Sequence, residues 1–339
     1  MSVSAMDSKL ALSGGPGSIR FQDRVATWAA WGLAVGLFST VGWMAMQPYD
    51  PLGAVSVFSA DRPWLMGLEL LAVSVVVSGL ATALAGRRLP DAGVFAVALG
   101  LAVANLRGAT SGQLLISVAG IEPAARAPLA WKLACEGCVW FLAILAAMVA
   151  SGTVTRWFST ERDDDDLVSP DETAFSEASA VLPLIDPTDK PVGRQVWVAG
   201  LTVTCVTLAG SAIIFRVLAT GSPLRSVQHG QTYFAIYAAF YLSGLIAYRY
   251  WRPKTALWGC LAPPALCLLG YAYSALSSGP AGPYGQLASV PSSTFFRALP
   301  IEYVAVGTTA AMASFWSARR HWSLQSPVST GPKPSPRRR

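Results

Sequence analysis

The chain has 339 residues, 53% of them hydrophobic and only 13% charged, with a formal net charge of +6 and a mean hydropathy of +0.44. Soluble domains carry about 25% charged residues, so this chain has too little polar surface to cover a water-facing globule. Its apolar residues come in blocks near the ~20 needed to cross ~30 Å of hydrocarbon, which predicts an all-α polytopic membrane protein.

The first 25 or so residues are mostly polar, and the apolar block after them is longer than the core of a signal peptide and lacks a convincing cleavage site. It reads as a retained anchor. Eight blocks follow in order, at about 26–46, 64–85, 92–106, 130–152, 196–219, 232–249, 256–277 and 300–317. The third is the shortest. In the first, Gly32 and Gly36 stand four apart on one face, as do Gly79 and Ala83 in the second and Gly307 and Ala311 in the eighth. Such pairs let a second helix backbone approach closely. In the seventh, Pro263 and Pro264 remove backbone donors and predict a break.

Lys and Arg are costly to translocate. With the N-terminus in the cytoplasm and eight alternating helices, 18 of the 25 basic residues fall on the cytoplasmic side, and the short loops "AGRRLPD" and "YRYWRPK" agree. Both termini are then cytoplasmic and the protein sits in the cell membrane. Trp43, Trp64, Trp131, Trp157, Trp251 and Trp258 fall near predicted helix ends, where an amphipathic ring favours the headgroups.

Between the fourth and fifth blocks the composition changes. From Arg156 to Arg194 there are ten acidic and four basic residues, with Pro and Ser spread among them. This predicts a disordered cytoplasmic linker. The organisation expected is a first four-helix half with its N-terminal tail (1–155), the linker (156–193), a second half (194–317) and a basic disordered tail (318–339). The tail would favour anionic lipid.

Four short matches recur in the same order in the two halves: "RVATW" with "RQVWV", "SGLATA" at Ser78 with "SGLIAY" at Ser243, "GQLLISV" at Gly112 with "GQLASV" at Gly285, and "RAPLAW" at Arg126 with "RALPIEY" at Arg297. Their offsets run from 165 to 173. Four helices per half make such repeats parallel, related by an axis along the membrane normal. The third helix of each half is short or broken, and each is followed by a long outer loop. The runs "LLISV" and "STFFRAL" in these loops are candidates for short re-entrant or surface segments.

Within or beside the apolar blocks lie Glu69, Asn105, Glu136, Arg216 and Glu302, all toward the outer face in this topology. A charge at depth costs ~2.5–3.5 kcal/mol on the insertion scale, so it normally faces the bundle and has a partner. These five are the candidate substrate-binding residues of an outward-facing vestibule between the halves. The competing reading is snorkelling to the headgroups or structural pairing.

Cys135 and Cys138 stand about one helical turn apart near the outer end of the fourth helix. Their placement resembles the four-helix thiol oxidoreductases of the vitamin K epoxide reductase and DsbB type. That resemblance implies a C-x-x-C passing electrons to a quinone. That family carries a second cysteine pair in an outer loop, whereas here Cys205, Cys260 and Cys267 all lie inside predicted helices. Packing is the simpler role for the pair. Two histidines, His229 in an outer loop and His321 in the cytoplasm, supply neither a zinc site nor a bis-histidine haem. No phosphate-loop, dinucleotide or hydrolase motif occurs. The expectation is no cofactor, no metal and no nucleic-acid partner, with the bilayer and a small-molecule solute as the partners. Three function classes remain: a transporter or small-solute binding protein, a non-catalytic scaffold or complex subunit, and a membrane thiol redox enzyme using Cys135 and Cys138.

Overall fold

A computed structural model of the chain describes residues 21–49, 53–60, 62–85, 89, 91–119, 126–160, 194–219, 228–253, 255–277 and 293–325. Of these, 88% are helical and none forms a strand. The acidic linker beyond 160, the match at Gly285 and the tail beyond 325 lie outside the described residues.

Helix α1 (Phe21–Leu37) continues through a π-helical turn (Phe38–Gly42) and a last α-helical turn (Trp43–Met46). Then come α2 (Pro63–Ala85), α3 (Ala92–Asn105), the short α4 (Ser111–Ala119) and α5 (Arg126–Thr160). The second half has α6 (Arg194–Leu218), α7 (His229–Trp251), α8 (Leu257–Cys260), α9 (Ala262–Leu276) and α10 (Pro300–Gln325). Each of the eight apolar blocks coincides with helix. Five stretches are long and apolar enough to cross a membrane: Val25–Met46, Pro63–Ala85, Arg126–Trp157, Val196–Leu218 and Leu257–Leu276. The chain is therefore a helical, apolar protein of membrane character.

α3 and α10 are the central helices. Every residue from Ala92 to Ala98 and from Pro300 to Met312 is buried. That explains why α10 tolerates Glu302, Thr308, Thr309 and Ser314, since their polar groups meet protein rather than lipid. The outer helices instead expose large apolar side chains such as Leu68, Val76, Leu142, Ile213, Phe234 and Ile246. This is the pattern of a surface solvated by hydrocarbon rather than by water.

Within the first half α2 packs on α1, α3 and α5, and α1 packs on α3. Within the second, α7 packs on α6 and α10, and α9 on α6 and α10. The halves join through α5 against α9, α3 against α10 and α5 against α10. Small residues set the close crossings. A Cβ on Gly93 would fall 2.4 Å from Ser78 O of α2, and one on Gly307 would fall 2.7 Å from Pro263 Cβ. Gly32 and Gly36 do not play the role expected of them. Nothing lies within 4 Å of a Cβ on either, and both face outward. The close approach to α1 is made from the other side by Gly100 of α3, which abuts Phe38 and Ala34 O.

The helix ends follow local chemistry. Leu261 separates α8 from α9, and Pro263 and Pro264 occupy the first turn of α9, where their missing N–H groups cost nothing. Arg252 caps α7 in the left-handed conformation (φ 45°), its N–H donating to Tyr248 O, and Pro253 prevents continuation. The π-turn in α1 was not legible in the sequence. Arg107 donates to Ser39 O (2.6 Å) within that turn, and its guanidinium lies 4.7 Å from the centre of the Trp43 ring.

Two boundaries move. α5 runs to Thr160, past 155, and α10 runs to Gln325, past 317. Residues 318–325 are thus helical, not part of a disordered tail. The extension of α10 is held by protein contacts: Arg319 lies over Phe315 (5.6 Å), and Trp322 lies under Arg252 (5.9 Å).

Candidate functional site

Asn105 is the last residue of α3, where the chain turns toward α4, and it is completely buried. Its Nδ2 donates to the Tyr233 hydroxyl at 3.0 Å and reaches Glu302 Oε1 at 3.5 Å. Tyr233, from α7, donates in turn to Ala102 O of α3 at 2.8 Å. Glu302 sits in the first turn of α10, and its Oε2 accepts the Leu299 N–H at 2.8 Å, a capping contact within one turn. His229 opens α7. Its Nδ1 stands 2.7 Å from Glu302 Oε1 and its Nε2 3.0 Å from Gly108 O, just beyond α3.

Four side chains from three helices therefore meet: Asn105 from the first half, and His229, Tyr233 and Glu302 from the second. Glu302 is almost wholly buried and the His229 side chain is 16% exposed; Tyr233 is also partly exposed, so the cluster reaches the surface along the imidazole and the phenol. The contacts are mutual and polar, with one exception. Asn105 Oδ1 is buried and has no hydrogen-bond partner among the described residues. An orphaned acceptor beside a carboxylate is costly in a protein interior.

Of the five sequence-derived candidates, the structure brings Asn105 and Glu302 into contact and leaves the other three elsewhere. Glu136 is buried on α5, where its Oε2 accepts from Ser56 Oγ (2.6 Å) and its Oε1 from Trp140 Nε1 (2.8 Å). With both oxygens satisfied, it pins the loop around Ser56 to α5. Tyr271 of α9, which donates to Ala298 O, lies within electrostatic range of both Glu136 and Glu302. Glu69 and Arg216 are exposed on the outer faces of α2 and α6. Their long side chains reach outward, as the snorkelling reading expects.

His229 and Tyr233 were missed. The apolar pattern places the start of the sixth helix at 232 and His229 in a loop, whereas the helix starts at His229. One signal was present: His229 and Tyr233 are spaced four apart, so a helix begun slightly earlier places them on one face.

Neither a protein-family model, a curated protein nor a solved structure matches this chain. The reading of the site therefore rests on its own geometry. Cys135 and Cys138 are free and exposed on α5, whereas Cys260 and Cys267 are buried. The buried pair fills core positions, Cys267 Sγ lying 2.6 Å from where a Cβ on Gly137 would fall. The exposed pair contributes little to packing.

At the opposite end of α3 is a second buried polar contact between the halves. Asp91 immediately precedes α3 and is buried beside Trp316 and Arg319 of α10. Burial pushes its carboxyl up to about 7, against the opposing pull of Arg319 and of a hydrogen bond from Trp316. Phe95 lies between Trp31 and Trp316 at this end, its ring tilted to both, with ring centres 4.7 and 5.0 Å away.

Proposed function

We propose that the protein is an eight-span protein of the cell membrane, with both termini cytoplasmic, that binds a small polar solute between two parallel four-helix halves and carries it across. The observation that carries this reading is the meeting of Asn105 with His229, Tyr233 and Glu302, because each half alone holds only part of the cluster. Sites of many helical transporters lie at such a repeat interface, near broken or short helices, and α3 is the short third helix of its half.

The contact pattern supports the duplication. Exchanging the halves converts the α5–α9 contact into the α10–α3 contact and leaves α5–α10 unchanged. The "SGL" matches agree with this: Gly79 faces Val154 of α5, and Gly244 faces Ser314 of α10. Each half also has a glycine at the start of its third helix against the end of its second, Gly93 on α2 and Gly259 on Tyr248 of α7. The candidate surface runs fit the same scheme, since Ser111 Oγ donates to Arg297 O at 2.7 Å.

The test is binding and uptake of polar solutes by the purified protein in proteoliposomes. Glu302→Gln, Asn105→Ala and Tyr233→Phe should each abolish or weaken uptake, while Glu69→Gln and Arg216→Gln leave it unchanged. A purely structural cluster gives the opposite result. Uptake would then be absent or insensitive, and Glu302→Gln would cost stability alone, about 3–5 kcal/mol for a buried pair that loses one partner.

A further inference from the structure

The hydrogen bonds of His229 count its protons. Nε2 faces a backbone carbonyl, Gly108 O, which only accepts. Nε2 therefore carries a hydrogen. Nδ1 faces Glu302 Oε1 at 2.7 Å, and an unprotonated imidazole nitrogen against a carboxylate oxygen is a contact between two lone pairs. The contact exists only with one further proton, held on Nδ1 or on Oε1. In either form the pair is neutral overall. The other polar groups facing it are the Tyr233 hydroxyl from α7, Tyr271 from α9, Tyr303 from α10 and the neutral Asn105 from α3.

When that proton leaves, Glu302 keeps a negative charge with no ion-pair partner among the described residues, and two acceptors remain 2.7 Å apart. They are Glu302 Oε1 and the bare His229 Nδ1, with the Asn105 side chain, whose own Oδ1 lacks a donor, packed against Oε1. A primary ammonium group carries one positive charge and three N–H donors in a compact head. It matches this set in charge and can donate to both acceptors. A carboxylate or phosphate would set a second negative charge against Glu302, and a quaternary ammonium could not donate.

We infer that Glu302 is a shared counter-ion, held by the protonated His229 in the closed state and by a protonated primary amine once that proton has left, so that the site exchanges one proton for one ammonium group. The inference deepens the transport reading and rests on it. No bond other than N–H or O–H is made or broken: one proton leaves the His229–Glu302 pair for solvent as one R–NH3+ enters, and the charge of the site is the same before and after. The route is along His229 and Tyr233, the two members of the cluster that are partly exposed. Loss of that proton removes the hydrogen bond between His229 of α7 and Glu302 of α10, while Nε2–H keeps its bond to Gly108 O.

The test uses the full chain in lipid nanodiscs, labelled with 15N-histidine, with methylammonium as the probe. The chain has two histidines, so His321→Ala leaves the His229 resonances alone. Where that variant fails to fold, loss of signal in His229→Gln makes the assignment. In a pH titration the ring should pass from doubly protonated, or proton-shared with Glu302, to singly protonated at Nε2. Above half-saturation each tenfold increase in methylammonium should lower the midpoint by about one pH unit, as one-for-one exchange requires. Sodium chloride and tetramethylammonium at equal ionic strength should be silent. Glu302→Gln should abolish the methylammonium response, and Asn105→Ala should weaken it at least tenfold while His229 still titrates.

A midpoint that ignores methylammonium while Glu302→Gln still moves it overturns the exchange and leaves a structural ion pair. Uptake of a neutral or anionic solute that depends on Asn105 and Tyr233, with no methylammonium response, overturns the exchange and keeps the transport reading. Methylammonium displacing the proton without crossing the bilayer has the reverse meaning: it supports the amine site and removes transport.

Discussion

Replacing Asp91 by Asn should make the protein more stable at neutral pH and remove most of the pH dependence that this carboxyl imposes. The group is buried at the junction of α3 with α10, and burial lifts it from 3.8 to about 7. The native state therefore holds a proton between these two values that the unfolded chain has released. By linkage, stability from this group is greatest in acid, falls as pH rises through the window, and is fully lost above about pH 7. At about 1.4 kcal/mol per pH unit the loss comes to roughly 4 kcal/mol. Arg319 and the Trp316 hydrogen bond favour the ionised form but do not outweigh desolvation. An amide at this position has the shape of the protonated acid and no charge. Thermal unfolding in nanodiscs, followed by tryptophan fluorescence between about pH 5 and 8, should show the wild type losing several degrees. Asp91→Asn should match it at acid pH and exceed it at the alkaline end. Removing the Arg319 charge with Arg319→Gln should raise the Asp91 carboxyl further and extend the loss to higher pH. A wild-type profile that is flat, or an Asp91→Asn profile with the same slope, would refute the desolvation argument.

Two glycine substitutions should have opposite signs. A Cβ on Gly200 would lie 2.1 Å from Trp258 Cε2, so Gly200→Ala should destabilise by about 1–3 kcal/mol through overpacking. Gly32→Ala meets nothing within 4 Å and should gain up to about 1 kcal/mol from helix propensity; unfolding midpoints distinguish the two. Cys135→Ala with Cys138→Ala should change stability by less than about 0.5 kcal/mol, because both thiols are exposed. A loss of function in that double variant, with folding intact, would revive thiol chemistry. A reporter inserted near Asp164 or fused after Arg339 should read cytoplasmic and one near Gly282 external, and an external reading at Asp164 would invert the orientation.

Composition and block length were enough to determine helix and membrane character, because both follow from how much apolar surface a chain must hide and from the thickness of a bilayer. Pro263 and Pro264 announced the break between α8 and α9, since a missing N–H acts locally. The sequence places Glu69, Asn105, Glu136, Arg216 and Glu302 within or beside apolar blocks, but which way each points was not readable. Direction around a helix is set by what packs there. Glu69 and Arg216 turned outward, Glu136 was satisfied by Ser56 and Trp140, and only Asn105 and Glu302 met. His229 shows the same limit from the other side. It looked like a loop residue until α7 began at its position and α10 brought Glu302 to 2.7 Å. Gly32 and Gly36 carried a helix-contact spacing on a face that no described helix covers, while Gly100, with Ala96 and Ala104 four residues to either side, made the crossing with α1. Helix formation is local and periodic, so one sequence displays it. The partner of a buried polar group is chosen by the packing of helices far apart in the chain, and that was decided only by the tertiary structure.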